Sequence, residues 1–168
     1  MKNLTFIFLF LFSSSLFSQT VDWKTLEDAV LDEAKDFEKI EPEILKLIDW
    51  LGNHSLDHQK RSTANAHFVR WITGSAKVTV ELNAYVLDYT KNNTDFMILF
   101  MAGWSQYVLE NPDKKADNFE GNLAGVNYFL DFYKKGKDFG VKKDRKVAKL
   151  LKKRAAGNLE EFIAKKSN

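Results

Sequence analysis

An all-α fold, a compact bundle of seven or eight helices behind a cleaved signal peptide, is predicted by three observations. Apolar residues recur at spacings of three and four through most of the chain. Capping residues open these stretches and Gly, Asn or Pro closes them. No alternating run is followed by a hairpin turn and a second such run. The 168 residues are 45% hydrophobic and 29% charged with no Cys, which excludes a disordered chain, a disulfide scaffold and every cysteine-based mechanism.

Met1-Lys2-Asn3 begins with positive charge, Leu4 to Phe12 is an apolar run, and Ser13 to Gln19 is rich in small residues. That order is a secretory signal peptide, and the run is shorter than the roughly 20 residues a membrane span needs. Without Cys there is no site for a bacterial lipid anchor, so the expectation is an exported protein, periplasmic or secreted and not lipid-anchored. A cut after Ser18 assigns 1–18 to the leader and leaves 150 of the 168 residues, 19–168, as a single helical domain. A chain of that size buries about 68–70% of its unfolded surface, enough for one core without metal or disulfide.

Trp23, Leu26, Val30, Ala34 and Phe37 make one stripe and predict a first helix over 22–39. Pro42 suits the first turn of a second helix, apolar through Ile44, Leu45, Leu47, Ile48 and Leu51 and stopped by Gly52-Asn53. Residues 53–63 read as a connecting loop or a frayed helix start; a third helix, 63–73, turns Phe68, Trp71 and Ile72 inward and ends at Gly74, after which Ser75 can cap the next. Val78-Thr79-Val80-Glu81-Leu82 alternates like a strand, but Val78, Leu82, Tyr85, Val86 and Tyr89 also fit one helix face, and the length without a turn favours a helix over 76–90.

Asn93 or Thr94 caps a fifth helix that is apolar all round from Phe96 to Trp104, so it is expected at the centre; Asn111-Pro112 ends it. The sixth, 118–135, carries Gly121 and Gly125 at about 1 kcal/mol each against Ala, a cost tolerated where another backbone comes close. Asp144 caps a short basic helix with Val147, Leu150 and Leu151 inside, and Asn158 caps a last one with Leu159, Phe162 and Ile163. A helical-repeat array is the competing architecture, without a fixed period to support it.

The stretches VTVELNAYVLDYT, FMAGWSQYVLENP and EGNLAGVNYFLDFYKKGK together resemble an uncharacterised family of small exported all-helical bacterial proteins, over about Ala64 to Lys137. The resemblance implies export and a helical fold, and it carries no active site.

Charge is segregated along the chain. Residues 20–60 hold 11 acids and 5 bases, 61–112 hold four of each, and 113–168 hold 8 acids and 15 bases. Either the two ends serve partners, or oppositely charged terminal helices pack together, which the sequence favours. The basic helix around Lys146, Lys149 and Lys153 is the strongest local signal for a polyanion or a membrane surface. Export and the lack of stacking aromatics between Lys142 and Gly157 argue against nucleic acid. The competing reading is a solvated helix face.

His54 and His58 sit four apart beside Asp57, a spacing that can clamp a transition metal if the segment is helical, whereas Gly52-Asn53 argues for a loop. His67 has no defined place beside them. Glu27, Asp28, Asp32, Glu33 and Asp36 crowd the first helix, where a solvated face outweighs a hydrolytic acid pair. Glu81, between Val80 and Leu82, is the acid best placed for desolvation, with no second acid beside it in sequence. No Gly-x-Ser-x-Gly occurs, and Thr73, Ser75 and Ser105 offer hydroxyls without a motif.

Trp50, Trp71, Trp104 and the tyrosines read as core rather than as a groove. Asn83, Gln106 and Asn127 interrupt apolar helices and, with Glu81, are candidates for a polar pocket. The sequence thus favours a non-catalytic exported helical domain that binds a protein or another cell-envelope component and uses no cofactor. A small cell-envelope hydrolase using carboxylates and a metal-binding helical protein are the alternatives.

Overall fold

The computed structural model describes residues 20–91, 93–114 and 118–167. The leader, 1–18, lies outside the described residues. Nine α-helices occur among them, with no strand: α1 Trp23–Asp28, α2 Ala34–Lys39, α3 Glu41–Asn53, α4 Arg61–Gly74, α5 Ala84–Thr90, α6 Thr94–Glu110, α7 Asn118–Lys134, α8 Arg145–Ala155 and α9 Leu159–Ser167. None is long and apolar enough to cross a membrane.

The centre is the α6–α7 hairpin. Asn93 caps α6 by accepting from the Asp95 N–H at 3.0 Å, and Asn111-Pro112 ends it, as the residue types predict. Phe96 stacks on Phe129, the Phe100 carbonyl abuts Gly125, and Trp104 abuts Gly121. Each step of four up α6 is a step of four down α7, so the helices run antiparallel in register. A Cβ on Gly125 would stand 2.6 Å from the Phe100 carbonyl oxygen, and one on Gly121 would stand 2.6 Å from the Trp104 ring. Both glycines therefore serve the close approach expected of them.

Helix α3 lies across this hairpin with Ile44, Leu47, Ile48 and Leu51 fully buried, and the Tyr128 hydroxyl donates to the Ile48 carbonyl. Helix α4 buries Ala64, Phe68 and Trp71, and the Trp71 indole N–H donates to the Phe37 carbonyl at 3.2 Å, which fastens α2 to α4.

Two expectations fail. The helix predicted over 22–39 is broken into α1 and α2, and Val30, assigned to its buried stripe, is 66% exposed. The break is chemical: Asp36 accepts from the Glu33 N–H at 3.0 Å in a capping box that starts a new helix, while Arg70 donates to the Ala29 carbonyl at 2.6 Å and satisfies the end of α1. The helix predicted over 76–90 is shorter, because residues 75–83 form neither helix nor strand and only Ala84–Thr90 is helical. Val78 is buried and Val80 half-buried while Thr79 and Glu81 face out, but Leu82, which either pattern would turn inward, is 40% exposed.

The expected packing of oppositely charged ends is also not found. Helices α8 and α9 pack on α7 and on each other, whereas α2 packs on α3 and α4. No ion pair joins residues 20–60 to residues 113–168 among the described residues. The two segments meet instead through α3 and α7, where Lys135 donates to the Gly52 carbonyl at 2.7 Å and to Asn53 Oδ1 at 2.8 Å.

Candidate functional site

Helix α8 starts where Asp144 accepts from the Lys146 and Val147 N–H groups, at 2.7 and 3.1 Å. Val147 and Leu150 are fully buried and Leu151 half-buried, which fixes the rotation of the helix. At 3.6 residues per turn, Arg145, Lys149 and Lys152 then share an outward arc of about 60°. They have no carboxylate partner among the described residues, nor do Lys142 and Lys143 in the segment before the helix.

The other bases of α8 are engaged. Lys146 donates to Asp88 of α5 at 2.6 Å, Lys153 lies 5.1 Å from the centre of the Phe162 ring of α9, and Arg154 reaches Asp131 at 2.9 Å and the Asn127 carbonyl at 3.2 Å. Of the three lysines singled out in sequence, only Lys149 has no partner among the described residues. The outward set includes Arg145 and Lys152, which the sequence reading passed over although a helical wheel with Val147 and Leu150 inward would have found both.

Asp88 also receives Lys91 at 2.9 Å, so one carboxylate clasps two lysines and ties α5 to α8. The hydrogen bond from Lys146, then that from Lys91, lowers the Asp88 carboxyl to about 2. A lowered carboxyl favours the folded state above its ordinary pKa of about 3.8, and that contribution is lost as the pH falls through 2. Carboxyl-detected NMR should give an Asp88 midpoint near 2 in the wild type and a higher one in Lys146→Gln, still below the ordinary value because Lys91 remains. An ordinary midpoint in both would mean that the clasp does not form.

The remaining sequence candidates are placed as follows. His54 and His58 do meet, with ring centres 5.1 Å apart, but inside an aromatic cluster in which Trp50 stacks on His54 at 4.1 Å. His54 Nδ1 donates to the Trp50 carbonyl at 2.9 Å, which leaves its Nε2 lone pair open. His58 Nδ1 accepts from the Lys60 N–H at 3.1 Å, so the neutral ring carries its proton on Nε2 and its lone pair is already used. No group of three or more His, Cys, Asp or Glu suited to a metal occurs among the described residues. His67 sits apart, half-buried on α4.

Glu81 is exposed and accepts from Asn118 at 2.7 Å, so the desolvation expected from Val80 and Leu82 does not reach it. Gln106 and Asn127 line one open groove of about 310 Å³ between α6 and α7, whereas Asn83 stands at the start of α5, outside it. The amide that is fully buried is Asn122, which accepts from the Tyr85 hydroxyl and ties α7 to α5. Its place one turn before Val126 and two before Phe129 on α7 was the available signal.

Comparison with protein-family models, with curated proteins and with solved structures found no match. Among the arrangements above, the outward face of α8 is the one that gathers several charged side chains without internal partners.

Proposed function

We propose that this chain is a non-catalytic binding module, exported to the cell envelope, that holds an anionic component on the outward face of α8. What supports the reading is that Arg145, Lys149 and Lys152 stand on one arc of a helix seated by Val147 and Leu150, and that no acid among the described residues neutralises them. Internal lysine–carboxylate pairs on a surface contribute little, about 0–1 kcal/mol, so leaving three bases unpaired costs the fold almost nothing and keeps them available. A face built from point charges binds through Coulomb attraction, which salt screens over about 8–10 Å.

Retention on immobilised heparin as salt rises tests this. The variant Arg145→Gln/Lys149→Gln/Lys152→Gln is expected to elute at clearly lower salt than the wild type. Lys146→Gln/Lys153→Gln, which removes engaged lysines, is expected to shift less. Equal retention of the wild type and the triple variant would end the proposal.

A further inference from the structure

We infer that the anionic component is a lipid surface, met jointly by the α8 bases and by two exposed leucines, Leu82 and Leu87; this rests on the α8 reading above. The leucines are the decisive observation. Leu87 is 41% exposed on α5 and Leu82 is 40% exposed just before its cap. On α5 Ala84 and Leu87 face out, as does Lys91 at its C-cap, while Tyr85, Val86 and Thr90 are buried.

Helix α5 is held against the basic helix from two directions. Asp88, next to Leu87, receives Lys146 of α8, and Tyr85 and Tyr89 meet the Phe162 ring at 6.0 and 6.5 Å, the same ring that carries Lys153. Leu87 and the bases of α8 thus lie on either side of the Asp88–Lys146 pair, with Leu82 five residues earlier in the chain. Helix α8 cannot supply the apolar part itself, because its own apolar residues Val147 and Leu150 are in the core. It lies on a surface by charge, and the neighbouring leucines enter the interfacial layer. A soluble polyanion offers nothing for leucine to contact.

The segregated charge orients the molecule. Residues 20–60 carry six more acids than bases, and no ion pair links them to the basic end among the described residues. An anionic bilayer repels that acidic segment and attracts the bases of α8, which favours the α5–α8 side toward the lipid.

Co-sedimentation with phosphatidylcholine vesicles, with and without phosphatidylglycerol, is the test, run beside heparin retention on the same proteins. The wild type is expected to bind only the vesicles that contain phosphatidylglycerol. Arg145→Gln/Lys149→Gln/Lys152→Gln should weaken that binding about a hundredfold and lower heparin retention as well. Leu82→Ala/Leu87→Ala, both at exposed positions, should weaken vesicle binding about tenfold and leave heparin retention unchanged. Wild-type binding to heparin without binding to anionic vesicles overturns the lipid inference and keeps the α8 reading. So does a leucine variant that binds vesicles as the wild type does, or that loses heparin and vesicles alike. A triple variant unchanged on both supports sinks the two together.

Discussion

Arg61→Ala is expected to lose about 3 kcal/mol of folding stability. Arg61 is only 3% exposed, yet it is the first residue of α4 and carries a full charge. Its Nη1 donates to the carbonyls of Leu51 and His54 at 2.8 and 3.1 Å, at the end of α3, where helical carbonyls have no partner of their own. Its Nε donates to Asp95 at 3.1 Å, and the guanidinium lies 5.2 Å from the centre of the Phe132 ring. One side chain therefore closes α3, opens α4 and pins the first turn of α6.

Burial pushes the Arg61 pKa down and Asp95 opposes the shift, but an arginine stays protonated at any ordinary pH. Truncation strands two carbonyls and leaves Asp95 with Asn65 alone, which donates at 2.8 Å. Because the Asp95 side chain is 26% exposed, water relieves part of that loss, which places the cost at the lower end of the range of about 3–5 kcal/mol for a broken buried pair. Urea denaturation measures it. A Arg61→Ala midpoint equal to that of the wild type, with the same slope, would refute the assignment.

Gly125→Val is expected to cost about 3 kcal/mol, near the top of the overpacking range. Taken as a helix in isolation, α7 should welcome the change, since glycine is among the poorest helix formers and even alanine would gain about 1 kcal/mol. Packing decides the sign. The new Cβ would stand 2.6 Å from the backbone oxygen of Phe100 and 2.8 Å from two of its ring carbons. A backbone oxygen in the middle of α6 cannot swing aside, so the two helices must separate along the whole register from Phe96–Phe129 to Trp104–Gly121. Gly125→Ala should lie between, destabilising by about 1–2 kcal/mol, or roughly 2–8 °C in Tm. A Gly125→Ala protein more stable than the wild type would show that the hairpin is not packed this closely.

These two residues mark how far the sequence could be read. Gly125 was legible as a close-approach position because its helical cost stands out against its neighbours. Arg61 was not, although Arg61, Ala64, Phe68 and Trp71 fall on one stripe at spacings of three and four. A charge at the head of that stripe reads as exposed until the carbonyls of α3 and the Asp95 carboxylate are known to surround it. On α8 the same limit applies: Lys146, Lys149 and Lys153 look alike in sequence, and only Asp88 and Phe162, distant in the chain, separate the engaged from the free.

What the sequence determined by itself was local: the all-helical class, the caps at Asn93 and Asp144, the stop at Asn111-Pro112 and the apolar run that becomes α6. Such signals act within one or two turns, between residues that stay neighbours in any conformation of the chain. The break between α1 and α2, the non-helical stretch before α5, the burial of Arg61 and the free face of α8 were decided only when distant segments met. Their energies lie in contacts such as Arg70 to Ala29, Arg61 to Asp95 and Lys146 to Asp88, which local spacing does not encode.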